Sequence, residues 1–540
     1  MTVSTRPGQP GSFDDPVVTG VVDALGGPAG RHARLDQRRF WTPVRWLVLL
    51  TLLTSLLGWW QKSPCREHSW DGEYQYTRLC YTDVFALYGA ERLSEGKTPY
   101  LEHPVEYPVV IGAVMAVVAK AVTVFEPAER PRRFYDLTWV LLTACALVVV
   151  VTTTRLAGRR PWDAAVFALA PLLALQGSTN WDLVAMALVG LGLLQWARSR
   201  PLAAGLLLGA ATATKLYPLL FLVPLAALCW RAGRLRPLAV TAAATVLTPI
   251  ALSLPVYLVS PYFADPGVAG QAVVAASPLD RFGSEGLAAL APKVSTTVDG
   301  GPVVGVNAAY RFVELNSTRP ADWDSLWFAL QKLRGDVPLD TGGAPGAAPT
   351  ILNAAVALTL VAALVGVVVL ALRAPRRPRL MPLLFLTVLA FLLTNKVWSP
   401  QFSLWLVPLA TLARPRWRPL LAWQGAEALV LLTRLYFFVG LSGDNQGIEY
   451  GWFLSALLLR DAALLVLAGL VVRDMLRPGH DVVRADGSDD PAGGVLDGAA
   501  DRREPLAAEF DPGEPVAVAA PDRHAPELPS GAADGRFSRR

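Results

Sequence analysis

Residues 351–372 read ILNAAVALTLVAALVGVVVLAL, an uncharged run closed by Arg373-Ala-Pro-Arg376-Arg377-Pro-Arg379. About 20 consecutive apolar residues suffice for a helix to span the hydrocarbon core of a bilayer. A cluster of arginines at one end marks that end as cytoplasmic. This stretch therefore reads as a transmembrane helix whose orientation is given by its own flank.

Working outward, similar runs recur at 44–60, 134–154, 162–177, 181–197, 201–213, 216–230, 237–258, 379–394, 401–413, 418–440 and 451–472. Hydrophobic residues make up 53% of the 540-residue chain and charged residues 17%, with a mean hydropathy of +0.37. Soluble domains carry about 25% charge, so the composition itself points to lipid as solvent. The expected fold is an all-α integral membrane bundle of about 12 helices. The basic connections Arg31–Arg45, Arg155–Arg160, Arg198–Arg200, Arg231–Arg236, Arg373–Arg379, Arg414–Arg418 and Arg473–Arg477 are placed inside. That puts 61–103, 178–180, 214–215, 259–350, 395–400 and 441–450 outside. A further apolar run, 104–125, breaks this alternation if it crosses, giving thirteen spans. The parity holds with twelve if it is re-entrant or lies against the bundle. The spans on either side of Lys215 are short, and short helices in a membrane are tolerated where they line a cavity.

Residues 1–43 read as a disordered, basic cytoplasmic arm without a signal peptide, 44–472 as the membrane domain, and 473–540 as a disordered cytoplasmic tail, Pro-, Gly- and Asp-rich with almost no aromatics. No internal repeat is evident. In the second large outer loop, Trp323, Leu326, Trp327, Leu330 and Leu333 fall on one helical face, as in an interfacial helix or a lid packed on the bundle. Cys145 and Cys229 lie in apolar spans, whereas Cys65 and Cys80 flank a polar loop and are able to pair if that loop is extracytoplasmic. No basic run is interleaved with aromatics, so nucleic acid is not a partner. Membrane lipid is.

The first outer loop carries Asp83-Val-Phe-Ala-Leu-Tyr88-Gly-Ala-Glu-Arg-Leu-Ser-Glu-Gly96-Lys-Thr-Pro99-Tyr100. Phe85, Ala86, Gly89, Ala90 and Leu93 share a stripe, which suggests a helix lying flat at the membrane surface with Asp83 at its start. A carboxylate there is able to take a proton from a hydroxyl, or it serves only to favour the helix dipole. Lysine is scarce, seven of 49 cations, and Lys215 and Lys396 both fall at outer helix ends. They are candidates to bind an anion or, alternatively, to snorkel to headgroups. Arg434 lies within a span, with Glu427 two turns away as a possible partner; ionisable groups in spans are functional candidates by default. Arg460–Asp461 looks structural.

The run Asp83-x4-Tyr88-x7-Gly96-x2-Pro99-Tyr100, with Glu106-Tyr107-Pro108, Asn180-Trp181-Asp182, Thr214-Lys215-Leu216-Tyr217-Pro218 and Asn395-Lys396-Val397-Trp398-Ser399-Pro400-Gln401, resembles glycosyltransferase family 87 over roughly 44–472. These are polyprenol-phosphate-mannose-dependent mannosyltransferases of the C-type membrane superfamily. The resemblance implies a polyprenyl-phosphate-sugar donor and a glycolipid or glycan acceptor. Asp83 would be the catalytic base, and a β-linked donor would yield an α-linked product by inversion. Lys215, Lys396 and Arg434 would then meet the donor phosphate. Glu106, Tyr107, Asn180, Asp182, Tyr217, Trp398 and Gln401 are the candidates to bind sugar or acceptor. Transfer of arabinofuranose, or secondary transport, are the competing readings. All five histidines, His32, His68, His103, His480 and His524, fall in loops or tails, so no metal and no cofactor is expected.

Overall fold

The computed structural model describes residues 41–70, 72–264, 272–298, 301–340, 348–441 and 447–501. Nearly all of the N-terminal arm, and the tail beyond 501, lie outside them. The chain enters at α1 (Pro43–Gln61), where Thr42 Oγ1 accepts from Arg45 N and Pro43 fills the first turn, whose N–H has no helical partner. Among the described residues six helices are long and apolar enough to cross a membrane: α1, α4 (Arg130–Leu156), α8 (Leu235–Val259), α12 (Thr350–Arg373), α15 (Trp417–Leu441) and α16 (Tyr450–Leu476). Shorter apolar helices, among them α5 (Asp182–Ala197), α6 (Pro201–Thr212), α7 (Leu222–Ala232) and α13 (Leu380–Thr394), pack between them. Residues 380–389 of α13 are all buried, which places that helix at the centre of the bundle.

Close packing in lipid rests on small residues. In α6, a Cβ added to Gly205 would come 2.6 Å from Ala244 Cβ, and one added to Gly209 would come 2.6 Å from Thr248 Cβ, so α6 and α8 touch backbone to backbone. The segment expected as one span at 162–177 is instead three short helical pieces, 161–164, 165–168 and 171–176, because Pro161 and Pro171 each restart the helix.

Helix α3 (Val109–Ala121) takes up the ambiguous run 104–125. It starts beside Tyr107, whose hydroxyl accepts from Asn180 Nδ2. The next helix, α4, begins on the same end of the bundle: Phe134 stacks on Tyr88 at 4.6 Å, and Tyr135 shares a hydrogen bond with Ser178. The chain thus leaves and regains one end of the bundle across 104–129.

Helix α2 (Asp83–Ala90) forms where the first outer loop predicts it, but the buried side is Val84 and Tyr88. Of the expected stripe, Phe85 stacks on Trp70 at 4.7 Å and Leu93, just past the helix, is buried, whereas Ala86, Gly89 and Ala90 are exposed. Glu91, thought to lie off that stripe, is buried beside His103 at 3.4 Å. Cys65 and Cys80 form a disulfide.

The described residues of the long segment 259–350 are folded. Strands β1 (Tyr262–Ala264), β2 (Val273–Ala275), β3 (Lys293–Val298) and β4 (Gly301–Asn307) make an antiparallel sheet in the order β2-β1-β4-β3, with Tyr262 opposite Asn307 and Thr297 opposite Pro302. Helices α9 (Pro278–Glu285), α10 (Arg311–Thr318) and α11 (Leu326–Leu333) complete it. In α11, Phe328 and Ala329 are buried and Trp327 Nε1 donates to Thr394 O. Trp323 precedes the helix and packs among Phe437 and Phe438, while Leu333 is exposed.

The tail departs from expectation. Residues 477–501 are not loose; they run as a strap across the end of the bundle opposite Asp83. Arg379 pairs with Asp481, Arg377 with Asp489 and Arg231 with Asp501, each at 2.7–2.9 Å, and Leu380 N donates to Asp490 Oδ2. Composition missed it because three aspartates pairing with arginines and a fourth accepting from Leu380 N hold the segment, with only Val483, Ala492 and Leu496 as buried apolar contacts.

Candidate active site

Helix α2 is fixed at its first turn by contacts that aim Asp83. Thr82 Oγ1 accepts from Val84 N and donates to Ser178 O at 2.8 Å, and Asp83 N donates to Thr179 O at 2.9 Å. The carboxylate is then held from two sides. Tyr81 OH donates to Oδ1 at 2.6 Å, and Asn180 Nδ2 donates to Oδ2 at 2.7 Å. Gln401 Nε2 approaches Oδ2 at 3.4 Å. Charge-assisted bonds of this kind are the stronger class of hydrogen bond, so the carboxylate has little rotational freedom. It does sit at a helix start, and the dipole contribution is therefore present as well.

Asp83 opens onto a cavity of about 720 Å³. Among the residues singled out in the sequence, Glu106, Tyr107, Asn180, Lys215, Tyr217, Gln401 and Arg434 line it too. Tyr100 keeps the Glu106-Tyr107-Pro108 turn in place by donating to Tyr107 O at 2.9 Å. Burial and nearby acids push Glu106 up from the usual carboxylate range, and burial does the same for the Tyr81 and Tyr107 phenols. Those two hydroxyls stay protonated and act as donors or acceptors, not as anions.

Lys215 sits at the break between α6 and the turn into α7. Its Nζ is 3.6 Å from Asp182 Oδ1 and 5.0 Å from the Tyr107 ring centroid. Asp182 does not line the cavity. It lies behind, where it also accepts from Trp405 Nε1 at 2.9 Å, and Trp405 in turn stacks on Tyr217 at 4.2 Å. Asp182 thus positions Lys215 and, through Trp405, Tyr217.

Arg434 pairs with Asp324 at 2.9 Å and lies 4.4 Å over the Phe438 ring. The Glu427–Arg434 pair anticipated from spacing is not formed, because Glu427 accepts instead from Ser403 Oγ at 2.6 Å and Trp423 Nε1 at 3.1 Å. Asp324 is buried, which raises its carboxyl to about 7 against the pull of Arg434.

Lys396 and Trp398 turn away from the cavity. Lys396 Nζ donates to Asn353 Oδ1 at 2.6 Å and to Arg319 O at 2.7 Å, and its own carbonyl accepts from Asp322 N. Burial lowers its ammonium to about 8. It ties α12 to the segment after α10, and its charge serves that tie rather than a ligand phosphate. Trp398 lies under Arg460, whose guanidinium is 3.7 Å from its ring, and donates to Ser403 Oγ. Arg460 bonds its neighbour Asp461 at 2.8 Å and Asp324 O at 3.2 Å, in keeping with a structural part.

Among the cavity residues that had no place in the sequence reading are Tyr81, Lys62 and Arg319. Tyr81 holds Asp83, although only its adjacency could have hinted at that. Lys62 follows α1, lines the cavity and donates to Tyr81 O at 2.9 Å. Burial drives it down to about 7, opposed by the charge on Asp83. Its rarity as a lysine at an outer helix end was the available signal. Arg319, 3.9 Å from Glu106 and 40% exposed, is a solvent-accessible cation in the cavity wall. It comes from the long outer segment, where nothing in the spacing marks it. Among the described residues no group of three or more His, Cys, Asp or Glu side chains is gathered as a metal site.

A comparison with curated proteins finds no match. The model of glycosyltransferase family 87 matches residues 105–400, more than half of the chain, beginning after Asp83 and taking in Glu106, Asn180, Lys215 and the Asn395–Pro400 turn. The chain belongs to glycosyltransferase family 87, and it is a membrane glycosyltransferase.

Proposed function

We propose that the protein transfers mannose from a polyprenyl-phosphate donor to a glycolipid or glycan acceptor on the extracytoplasmic side, with Asp83 as general base. The observation that carries this is the carboxylate of Asp83, held at 2.6 Å by Tyr81 and 2.7 Å by Asn180, in the wall of a cavity that also holds Lys215, Arg434 and Arg319. An acceptor hydroxyl gives its proton to Asp83 as its oxygen bonds to the anomeric carbon. The bond from that carbon to the phosphate oxygen breaks, and its electron pair leaves with the lipid phosphate. Attack on the face opposite the leaving group inverts the anomeric centre. Preorganised cations stabilise the departing charge; Lys215 and Arg434 are placed for this, with Arg319 at the accessible edge. Glu106, Tyr107, Asn180, Tyr217 and Gln401 surround sugar and acceptor, while Asp182 positions Lys215.

We read the topology as twelve crossings with 104–125 kept to one side and both termini cytoplasmic. Residues from 61–103, 178–180, 214–215, 259–350 and 395–400 line the cavity, and Arg231, Arg376, Arg377 and Arg379 meet the strap at the opposite end. A disulfide in the 61–103 loop suits an oxidising compartment.

The test is transfer by purified protein in lipid vesicles, with prenyl-phosphate-mannose and prenyl-phosphate-arabinofuranose as parallel donors and a panel of acceptors. Mannose transfer that collapses in Asp83→Asn supports the reading. Transfer of arabinofuranose alone, or unchanged turnover in Asp83→Asn, overturns it.

A further inference from the structure

Helix α9 is amphipathic in the wrong sense for a protein surface in water. The side turned toward the sheet is polar: Arg281 lies 5.1 Å over the Tyr262 ring. The side turned away is apolar, with Leu279 58% and Phe282 47% exposed one turn apart, followed by Leu287 at 78%. An exposed apolar cluster on a helix that also exposes Asp280, Ser284 and Glu285 is the pattern of a helix lying at an apolar–polar boundary.

Its location indicates what covers it. Tyr257, in the last turn of α8, donates to Leu290 O at 2.8 Å, and Tyr262 donates to Ala289 O at 3.0 Å. The segment 286–290 is thereby pinned to the end of a membrane helix. At about 1.5 Å per residue, the 25 residues of α8 exceed a hydrocarbon core of about 30 Å, so this last turn reaches the headgroup region. Below that turn α8 exposes Leu247, Ile250, Leu252 and Leu254, apolar side chains as on a lipid-facing helix.

We propose that residues 278–290 form an interfacial anchor, with Leu279, Phe282 and Leu287 seated at the boundary between headgroups and acyl chains of the leaflet on the cavity side. The anchor presses the sheet and helix α10 down, and α10 leads directly into Arg319 at the cavity wall. The inference rests on the membrane placement of the chain and is independent of which sugar it transfers.

The full-length protein, with Cys145→Ala and Cys229→Ala, carries a polarity-sensitive fluorophore at Leu287→Cys and, separately, at Phe282→Cys, in phosphatidylcholine vesicles. Each probe is read against nitroxide-labelled lipid and against aqueous iodide, and sugar transfer by the same vesicles is measured in parallel. The expected result is blue-shifted emission with quenching by shallow nitroxide lipid at least several-fold stronger than by iodide. Strong iodide quenching with little lipid quenching overturns the proposal, because the surface then faces water. Shielding from both quenchers, lost on dilution of protein in the vesicles, also overturns it in favour of a second copy. Because the probes report position without turnover, a failed anchor and a failed transfer reaction give separate results.

Discussion

The side-chain amide of Asn180 donates to the Asp83 carboxylate at 2.7 Å and, from the same nitrogen, to the Tyr107 hydroxyl at 2.6 Å. One residue thereby joins the start of α2, the turn before α5 and the turn before α3 at a single point on the cavity wall. Asn180 Oδ1 is itself occupied by Trp181 N, which fixes which face of the amide points at Asp83.

Replacing Asn180 with Leu removes one charge-assisted bond and leaves the carboxylate tied by Tyr81 and, at 3.4 Å, by Gln401. Hydrogen bonds to charged groups contribute about 1.5–3 kcal/mol, so kcat should fall roughly 10- to 100-fold. Donor KM should change much less, because Asn180 aims the base and the cations hold the donor. Steady-state transfer kinetics check this; an unchanged kcat would leave Asp83 without the role given to it.

Lys62 gives a prediction with opposite signs for stability and rate. Burial holds its ammonium near 7 in the folded protein against 10.5 for the free side chain. The unfolded chain therefore binds more protons between about pH 7 and 10.5, and this group's contribution to stability rises with pH across that window and is least favourable below it. Lys62→Met is expected to melt higher than wild type at pH 6, with the difference shrinking as pH rises toward 9. Its transfer rate should nonetheless be lower at pH 6, for want of a positive charge near Asp83. Thermal melts and initial rates on one pH series read both. Higher melting with undiminished turnover would make Lys62 a packing residue.

Lys215 and Lys396 separate in kind. Lys215→Ala removes a cation from the cavity and should raise donor KM and lower kcat together. Lys396→Ala breaks the bonds to Asn353 and to the Arg319 backbone. The expected effect is a lower melting temperature by a few degrees, with Arg319 less well placed and activity reduced several-fold. Lys396→Arg should recover melting only partly, because a guanidinium does not reproduce a point-like donor.

The Cys65–Cys80 bridge closes a loop of 15 residues just before Tyr81. Chain-entropy arguments give such a loop about 3 kcal/mol. Reduction, or Cys65→Ala with Cys80→Ala, should loosen Tyr81 and lower transfer while the membrane bundle stays folded. Activity with and without reductant, alongside helical content by circular dichroism, tests it; full activity after complete reduction would contradict it.

Asp481→Ala leaves Arg379, which is 3% exposed, without its carboxylate partner. Breaking a buried pair from one side costs about 3–5 kcal/mol. The melting temperature should fall clearly even though the substitution lies at the end of the bundle away from Asp83. An unshifted melt would mean the strap is dispensable.

Much of this was legible in the sequence, and the parts that were not share a cause. The six long helices could be read because the bilayer forces every backbone group in such a helix to bond within it, which leaves a long apolar run as its trace. The turns at 180–182, 214–218 and 395–401 could be read because they combine polar residues with helix ends. Which way a side chain at such a turn points could not be: Lys215 faces the cavity and Lys396, in an equivalent position, faces Asn353. Contacts between distant segments left no trace either. Arg319 reaches Glu106 from the far outer segment, and Arg231 meets Asp501 from 270 positions away. Local periodicity carries no information about such pairs, and the apparent disorder of 477–501 was a judgement on composition that charge complementarity overrode.

The strap also has a consequence for how the molecule is made. Arg231, Arg377 and Arg379 are translated well before Asp501, Asp489 and Asp481, the residues that pair with them. During that interval the bundle carries guanidinium groups with no counter-charge at its unfinished end. The last described residues to be translated are the ones that latch it, so a premature stop shortly after 476 would release a chain with the six long helices present and its closure missing.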